Sequence, residues 1–283
     1  MAYYPSKSNW SQKLFFILLK LFAFLVLFFL ILPLLIVIPL SFNAEPYFSF
    51  TQSMLNLDPN AYSLKWYQAF FTTPIWLTAI KNSLLVAVIS TFLATLLGTL
   101  AALGLNAPSM PFKRLTMAIF LSPMIVPLII TAAGMFFFYA KFNLVGSYLG
   151  LILAHTSLGI PFVIITVSAA LKNFDQSLYN AARLCGATPL KAFFTITFVL
   201  IKPGVLSGAL FAFVTSLDEI VLVLFLAGPE QRTIPRQMFS GLREQINPTI
   251  LAVSSILTLT TLLLLIILLM LRHREKTDES ILE

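Results

Sequence analysis

From Leu14 to Leu40 the chain reads LFFILLKLFAFLVLFFLILPLLIVIPL, with Lys20 as its only charge. A helix needs roughly 20 apolar residues to cross the hydrocarbon layer, whereas a barrel strand needs only about 10. Five more runs of crossing length follow: Ile80–Leu105, Leu115–Ala140, Leu149–Leu171, Gly204–Ala227 and Ile250–Leu271. Inside a bilayer each backbone polar group must be satisfied within the protein, and a helix does this by itself. The expected fold class is therefore all-α: a polytopic membrane protein with six transmembrane helices.

Composition agrees. Of 283 residues 59% are hydrophobic and 10% charged, with a mean hydropathy of +0.93; soluble domains hold about 25% charged residues. The single cysteine, Cys185, excludes an intramolecular disulfide, and with two histidines leaves little for a metal site. The first run lacks a small-x-small cleavage site after it, so it reads as a span and not as a signal peptide.

The net charge of +7 is placed by membrane topology and not by nucleic acid. With the N-terminus inside, the inner segments hold Lys7, Lys13, Lys20, Lys113, Arg114, Lys172, Arg183, Lys191, Lys202, Arg272, Arg274 and Lys276. The outer segments hold Lys65, Lys81, Lys141, Arg232, Arg236 and Arg243. Both termini are expected in the cytoplasm. Outside, SLKWYQAFF is expected to lie as a short helix at the interface, where Trp and Tyr are favoured. Gly228–Pro248 is polar and of mixed charge, and reads as a solvated loop, with a docking surface for an outer partner as the functional alternative.

Asn173–Gly208 interrupts this pattern (NFDQSLYNAARLCGATPLKAFFTITFVLIKPGVLSG). Asp175 suits an N-cap, Leu178, Ala182 and Cys185 share one face, and Gly186 suits a stop. Thr188-Pro189 starts a second helix. The segment spells helix, sharp turn, helix, on the inner side, and is shaped to be held by a partner. No G-x-x-x-x-G-K-[ST] occurs, so nucleotide binding belongs to another chain.

Asn180-Ala181-Ala182, Gly186-Ala187, Phe193, Ile196 and Pro203 follow the spacing of the E-A-A loop of ABC importer permeases. The chain resembles the type I (MetI-like) inner-membrane permeases. LAHTSLGIPFVIITVSAALKNFD, SPMIVP and SLDEIVLVLFLAGPEQRTIP bring it nearest to the spermidine/putrescine permeases. Asn180 stands where the family has Glu, and Val199 where a first proline is usual. The resemblance implies an N-terminal helix and outer segment (1–76), a permease core (77–271) with a cytoplasmic coupling loop (173–203), and a cytoplasmic tail (272–283). It implies ATPase coupling through Asn180, Ala181, Ala182, Arg183, Gly186 and Ala187. The implied partners are a second permease, favouring a heterodimer, two ABC ATPase subunits that bind ATP and Mg, and an outer solute-binding protein. No cofactor, metal or catalytic group is expected in this chain, which is a transport subunit and not an enzyme.

Asp218 and Glu219 are read as lying inside span five, where a carboxylate costs roughly 2.5–3.5 kcal/mol by insertion scales and needs a partner or water. With Thr215 and His155 they are the candidates for a solute path, and a path carboxylate suits a cationic polyamine. A structural acid bonded to another span, such as to His155 or a backbone group, is the alternative. Pro123, Pro127 and Pro161 are candidate bends. Another small solute (phosphonate, opine, iron or amino-acid-like) is the rival substrate. An ion-coupled carrier is the rival class, and the absence of an inverted repeat argues against it.

Overall fold

A computed structural model describes residues 10–172, 174–244 and 247–282; of residues 243–244, 268–269 and 271–282 only the backbone is considered. Lys7 and Asn173 lie outside the described residues, as do the side chains of Arg243, Arg272, Arg274 and Lys276. The regular structure among the described residues is helical, with a single isolated antiparallel bridge between Asn43 and Tyr62. It forms two compact units.

The first unit takes in the described residues up to Phe70 together with Asn247–Leu259. Helix α1 (Trp10–Leu40) is exposed along nearly its whole length, as an apolar surface made for lipid would be. Beyond it a small lobe folds around Asn43. Its buried amide donates to the carbonyls of Tyr47 and Ser49, and its own carbonyl accepts from Trp66 Nε1 at 2.8 Å. Helix α2 (Gln52–Leu55) is capped by Thr51, and α3 (Lys65–Thr72) is the short helix expected over SLKWYQAFF. The Tyr67 hydroxyl of α3 meets Ser41 Oγ at 2.6 Å.

The second unit holds α4 (Pro74–Leu105), α5 (Lys113–Ile125), α6 (Leu128–Ala140) and α7 (Tyr148–Lys172). After these come α8 (Gln176–Leu184), α9 (Pro189–Ala192), α10 (Phe198–Asp218), α11 (Val221–Leu226) and α12 (Ile234–Glu244). The last helix, α13 (Thr249–Leu282), begins among the residues of the first unit and extends through the region read as a tail.

Five helices are long and apolar enough to cross a membrane, and a bent pair brings the number to six. The bent pair corrects the third span. Leu115–Ala140 was expected as one helix bent by proline; the chain instead breaks between α5 and α6, which meet at 102°. Pro127 supplies the reason. Its ring disfavours the helical region for the residue before it, and Val126 accordingly sits at ψ 135. Pro123 and Pro161 lie within unbroken helices.

A seam of α4, α7 and α10 forms the core. Buried residues recur every fourth position on α4: Asn82, Val86, Ser90, Ala94, Gly98 and Ala102. Helix α7 is the centre, with 67% of its most apolar stretch buried. The contacts run in layers. A Cβ at Gly159 of α7 would fall 2.9 Å from the Ala94 methyl and 3.1 Å from that of Ala212, so only glycine admits both neighbours. One turn on, Val163 fills the space left by Gly98 and Gly208. Lipid gives helices no hydrophobic reason to associate, and close approach through small residues supplies the van der Waals contact instead. Asn106 closes one end of the seam by donating to Ser168 Oγ at 2.9 Å.

Candidate functional site

Two candidate regions stand at the two ends of α10, which spans 21 residues and so about 30 Å.

At its first end lies the helix–turn–helix. Asp175 caps α8 by accepting from Ser177 N at 2.8 Å. Hydrogen bonds from Ser177, side chain before backbone, hold the Asp175 carboxyl below its ordinary range. Cys185 ends the helix, and Gly186 turns the chain at φ +86, the left-handed region that glycine enters without a Cβ clash. Ala187 N returns to Ala182 O at 3.0 Å, and the Arg183 guanidinium donates to Ala187 O at 2.6 Å, so the turn is closed from both sides. Thr188 accepts from Lys191 N, and Pro189 opens α9, as the sequence spells.

No residue of α8 is buried. Asn180, Ala181, Arg183 and Gly186 are exposed, and Ala182 and Ala187 are half-buried. Leu184 is 89% exposed, a full apolar side chain held in the open at the tip of the turn. The apolar face of this helix thus finds no burial on its own chain. From α9 the backbone continues into a π turn, Phe193–Thr197, and then directly into α10. A π turn inside a helix is frequently a functional feature. Whatever moves α9 therefore moves α10.

At its other end α10 stops at Asp218. The fifth span was read as one helix from Gly204 to Ala227, with Asp218 and Glu219 inside it; the structure breaks it at Glu219 and Ile220 and restarts it as α11. The two carboxylates have separate fates. Glu219 is buried, and its Oε1 accepts from Leu222 N at 2.9 Å, so it caps the first turn of α11. Asp218 is exposed at the helix end. Thr215 is half-buried. His155 is buried in the seam and bonds Ser216 Oγ at 2.8 Å, not either carboxylate.

The segment after α11 is not the solvated loop that its polarity suggested. Asn82 of α4 donates to the carbonyls of Glu230 at 2.7 Å and Arg232 at 2.9 Å. Its Oδ1 accepts from the Tyr148 hydroxyl of α7 at 2.8 Å. Ser83 accepts from Ile234 N at 2.8 Å. Arg236 reaches back to the carbonyls of Ala227 and Gly228. Gln231, Thr233 and Ile234 are buried as a result. Polar side chains of α4 and α7 hold the backbone of this segment. The sequence reading missed Asn82, Ser83, Ser90 and Tyr148; the four-residue recurrence of small and polar residues along α4 was the available signal.

Among the described residues no group of three His, Cys, Asp or Glu side chains is placed to hold a metal ion.

Comparison with known proteins fits this geometry. Residues 94–276 match the family described as the binding-protein-dependent transport system inner membrane component. The chain is 33% identical over 221 residues to the putrescine transport system permease protein PotI of Escherichia coli K12, covering 74% of this chain and 77% of that one. It is 29% identical to the spermidine/putrescine transport system permease protein PotC of Haemophilus influenzae, covering 86% and 91%. In fold it is similar to a chain of a bacterial ABC transporter involved in import of the acidic polysaccharide alginate. That match has TM-score 0.68 at 15% identity and covers 95% of this chain and 99% of the other. An amino acid ABC transporter chain matches with TM-score 0.56, covering 74% of this chain and 98% of that one. A fifth span that breaks after α10, an exposed helix–turn–helix at the other end of that helix and a match that covers most of the core lead to one assignment: the chain belongs to the family of inner membrane components of binding-protein-dependent transport systems.

Proposed function

We propose that the chain is one half of a permease pair that imports a polyamine. The observation that carries this is the pairing of features on one helix: α10 ends in an exposed carboxylate, Asp218, and begins at the exposed α8–α9 turn. In this reading a solute-binding protein delivers the cation on the outer side. Asp218, with Thr215 beside it, meets it at the end of α10. Glu219 serves as the cap of α11, and His155 lies behind the path. The relatives named for putrescine and spermidine support the substrate class. The core is 77–271.

ATP and Mg belong to two partner ATPases, which grip the cytoplasmic loop 173–203 at Asn180–Ala187. The turn transmits force as a rigid piece because its backbone is closed on itself by Ala182, Arg183 and Gly186. Without the family's Glu at position 180, shape and the exposed Leu184 make the contact. Both termini lie in the cytoplasm, and the second permease is a different chain.

The assembled complex, purified with its binding protein, tests the proposal. Mass spectrometry of the ligand released from the binding protein is expected to give putrescine or spermidine. A phosphonate or sugar would overturn the substrate and leave the transporter class. Uptake that ran without ATP would overturn the coupling.

A further inference from the structure

Near the Asp218 end of the seam, one layer is polar. His155 Nδ1 of α7 lies 2.8 Å from Ser216 Oγ of α10, and Ser216 Oγ lies 3.1 Å from Ser90 Oγ of α4. Ser90 in turn donates to Ala87 O at 3.3 Å. All three side chains are buried, His155 being 2% exposed. The chain of donors has a direction. Since the Ser90 hydroxyl is spent on Ala87 O, its oxygen accepts from Ser216. The Ser216 oxygen then accepts from His155, so the imidazole carries its proton on Nδ1. Its Nε2 is left with no partner among the described residues.

The layers beneath are apolar and mostly of small residues: Ala94, Gly159 and Ala212, then Gly98 and Gly208 around Val163. Small residues let helices approach closely but offer few knobs to stop one sliding along another. A buried hydrogen-bonded layer supplies what such a seam lacks, much as a single buried Asn fixes register in a coiled coil. Ser216 stands in the last turn of α10, two residues before Asp218. A slip of α10 along α4 and α7 would carry Asp218 with it.

We propose that His155 is a positioning residue. Through Ser216 and Ser90 it locks the axial register of α10 against α4 and α7, and so sets where the Asp218 end of the helix stands. The consequence for uptake rests on the transport reading above; the lock itself does not.

The test uses the assembled complex in membranes. In a Cys185→Ser background, Asp218→Cys is labelled with a charged thiol reagent, which reports the position of the end of α10 without any solute. His155→Leu and Ser216→Ala are each expected to change the labelling rate at least about fivefold, and the double variant no more than either single, as coupled neighbours do. His155→Asn keeps a donor near the place of Nδ1 and needs nothing at Nε2, so it is expected to stay within about twofold of the parent. Ser168→Ala, at the far end of the seam, is expected to leave the rate alone.

With Asp218 restored, the lock variants are expected to lower kcat for polyamine uptake about tenfold at a KM within about twofold; a residue that touched the solute would raise KM. Labelling rates unchanged in both single variants, or effects that multiply in the double, would overturn the lock. So would a rise in KM alone. If His155→Leu does not insert, Ser216→Ala carries the same comparison. Shifted labelling in a complex that takes up no polyamine would leave the lock standing and remove the transport reading.

Discussion

The two ends of α10 are built on opposite terms. At the Phe198 end the chain passes through a π turn into α9 and the exposed α8, whose hydrogen bonds are nearly all local: Asp175 to Ser177, Arg183 to Ala187, Thr188 to Lys191. At the Asp218 end the following segment is tied across long sequence distances, with Asn82 bonded to the backbone at 230 and 232 and Ser83 to that at 234. A region held by its own short-range bonds keeps its shape when it is moved. A region held by its neighbours keeps its place. The first suits a handle and the second an anchor, and one continuous helix connects them.

The comparison breaks most visibly at Gly186. Any L-residue at φ +86 is strained by about 1–2 kcal/mol although nothing lies within 4 Å of its Cβ position. Gly186→Glu adds charge and bulk at the tip of the turn and is expected to abolish ATP-dependent uptake while the chain still inserts. Co-purification of the ATPase with uptake assays checks this, and normal uptake by a well-expressed variant would remove the handle.

Next in size is Asn82→Ala, which removes its two bonds to the carbonyls of Glu230 and Arg232 and the one it accepts from the Tyr148 hydroxyl, leaving that hydroxyl its longer bond to Glu230 O. At about 1 kcal/mol for each lost bond the expected destabilisation is about 2–3 kcal/mol. It should appear as a lower thermal midpoint of the purified complex, with a smaller fall for Tyr148→Phe.

The two carboxylates at the break should then separate. Asp218→Asn is expected to raise KM for polyamine about tenfold with assembly intact, a loss near 1.4 kcal/mol. Glu219→Ala is expected to cost about 1 kcal/mol of stability as a lost cap, with Glu219→Gln, which keeps the acceptor oxygen, recovering most of it. The reverse pattern would exchange their roles.

The smallest effect is expected at Asp175. Hydrogen bonds from Ser177 depress its carboxyl, so the cap contributes fully above the ordinary aspartate value. That contribution fades as the pH falls through the depressed value. Asp175→Asn should therefore flatten the acid side of the stability profile while changing little at neutral pH, measured by thermal unfolding across acidic buffers. A profile unchanged by the substitution would count against the cap.

The handle was largely readable in advance because its instructions are local. Asp175, Gly186 and Thr188-Pro189 each act on the next one to three peptide groups, and such rules survive any tertiary context. The anchor was not. Gly228–Pro248 is polar in sequence whether its groups face water or Asn82, Ser83 and Tyr148, and only the approach of α4 and α7 decides between them. The same holds for the carboxylates: apolar content ran the fifth span on to Ala227, whereas α10 stops at Asp218 because the Glu219 side chain takes over a backbone donor of α11.

The sequence by itself determined that the chain is helical and built for a membrane, since apolar runs this long satisfy their backbone hydrogen bonds in hydrocarbon as helices. It determined the helix–turn–helix from Asp175 to Ala192, and its loop pattern pointed to the family. Only the tertiary structure decided which of two adjacent acids stays exposed, why a polar segment is buried, and that His155 binds a serine. Those depend on which helices meet and at what register, and a seam of glycine and alanine admits many registers until distant polar groups choose one.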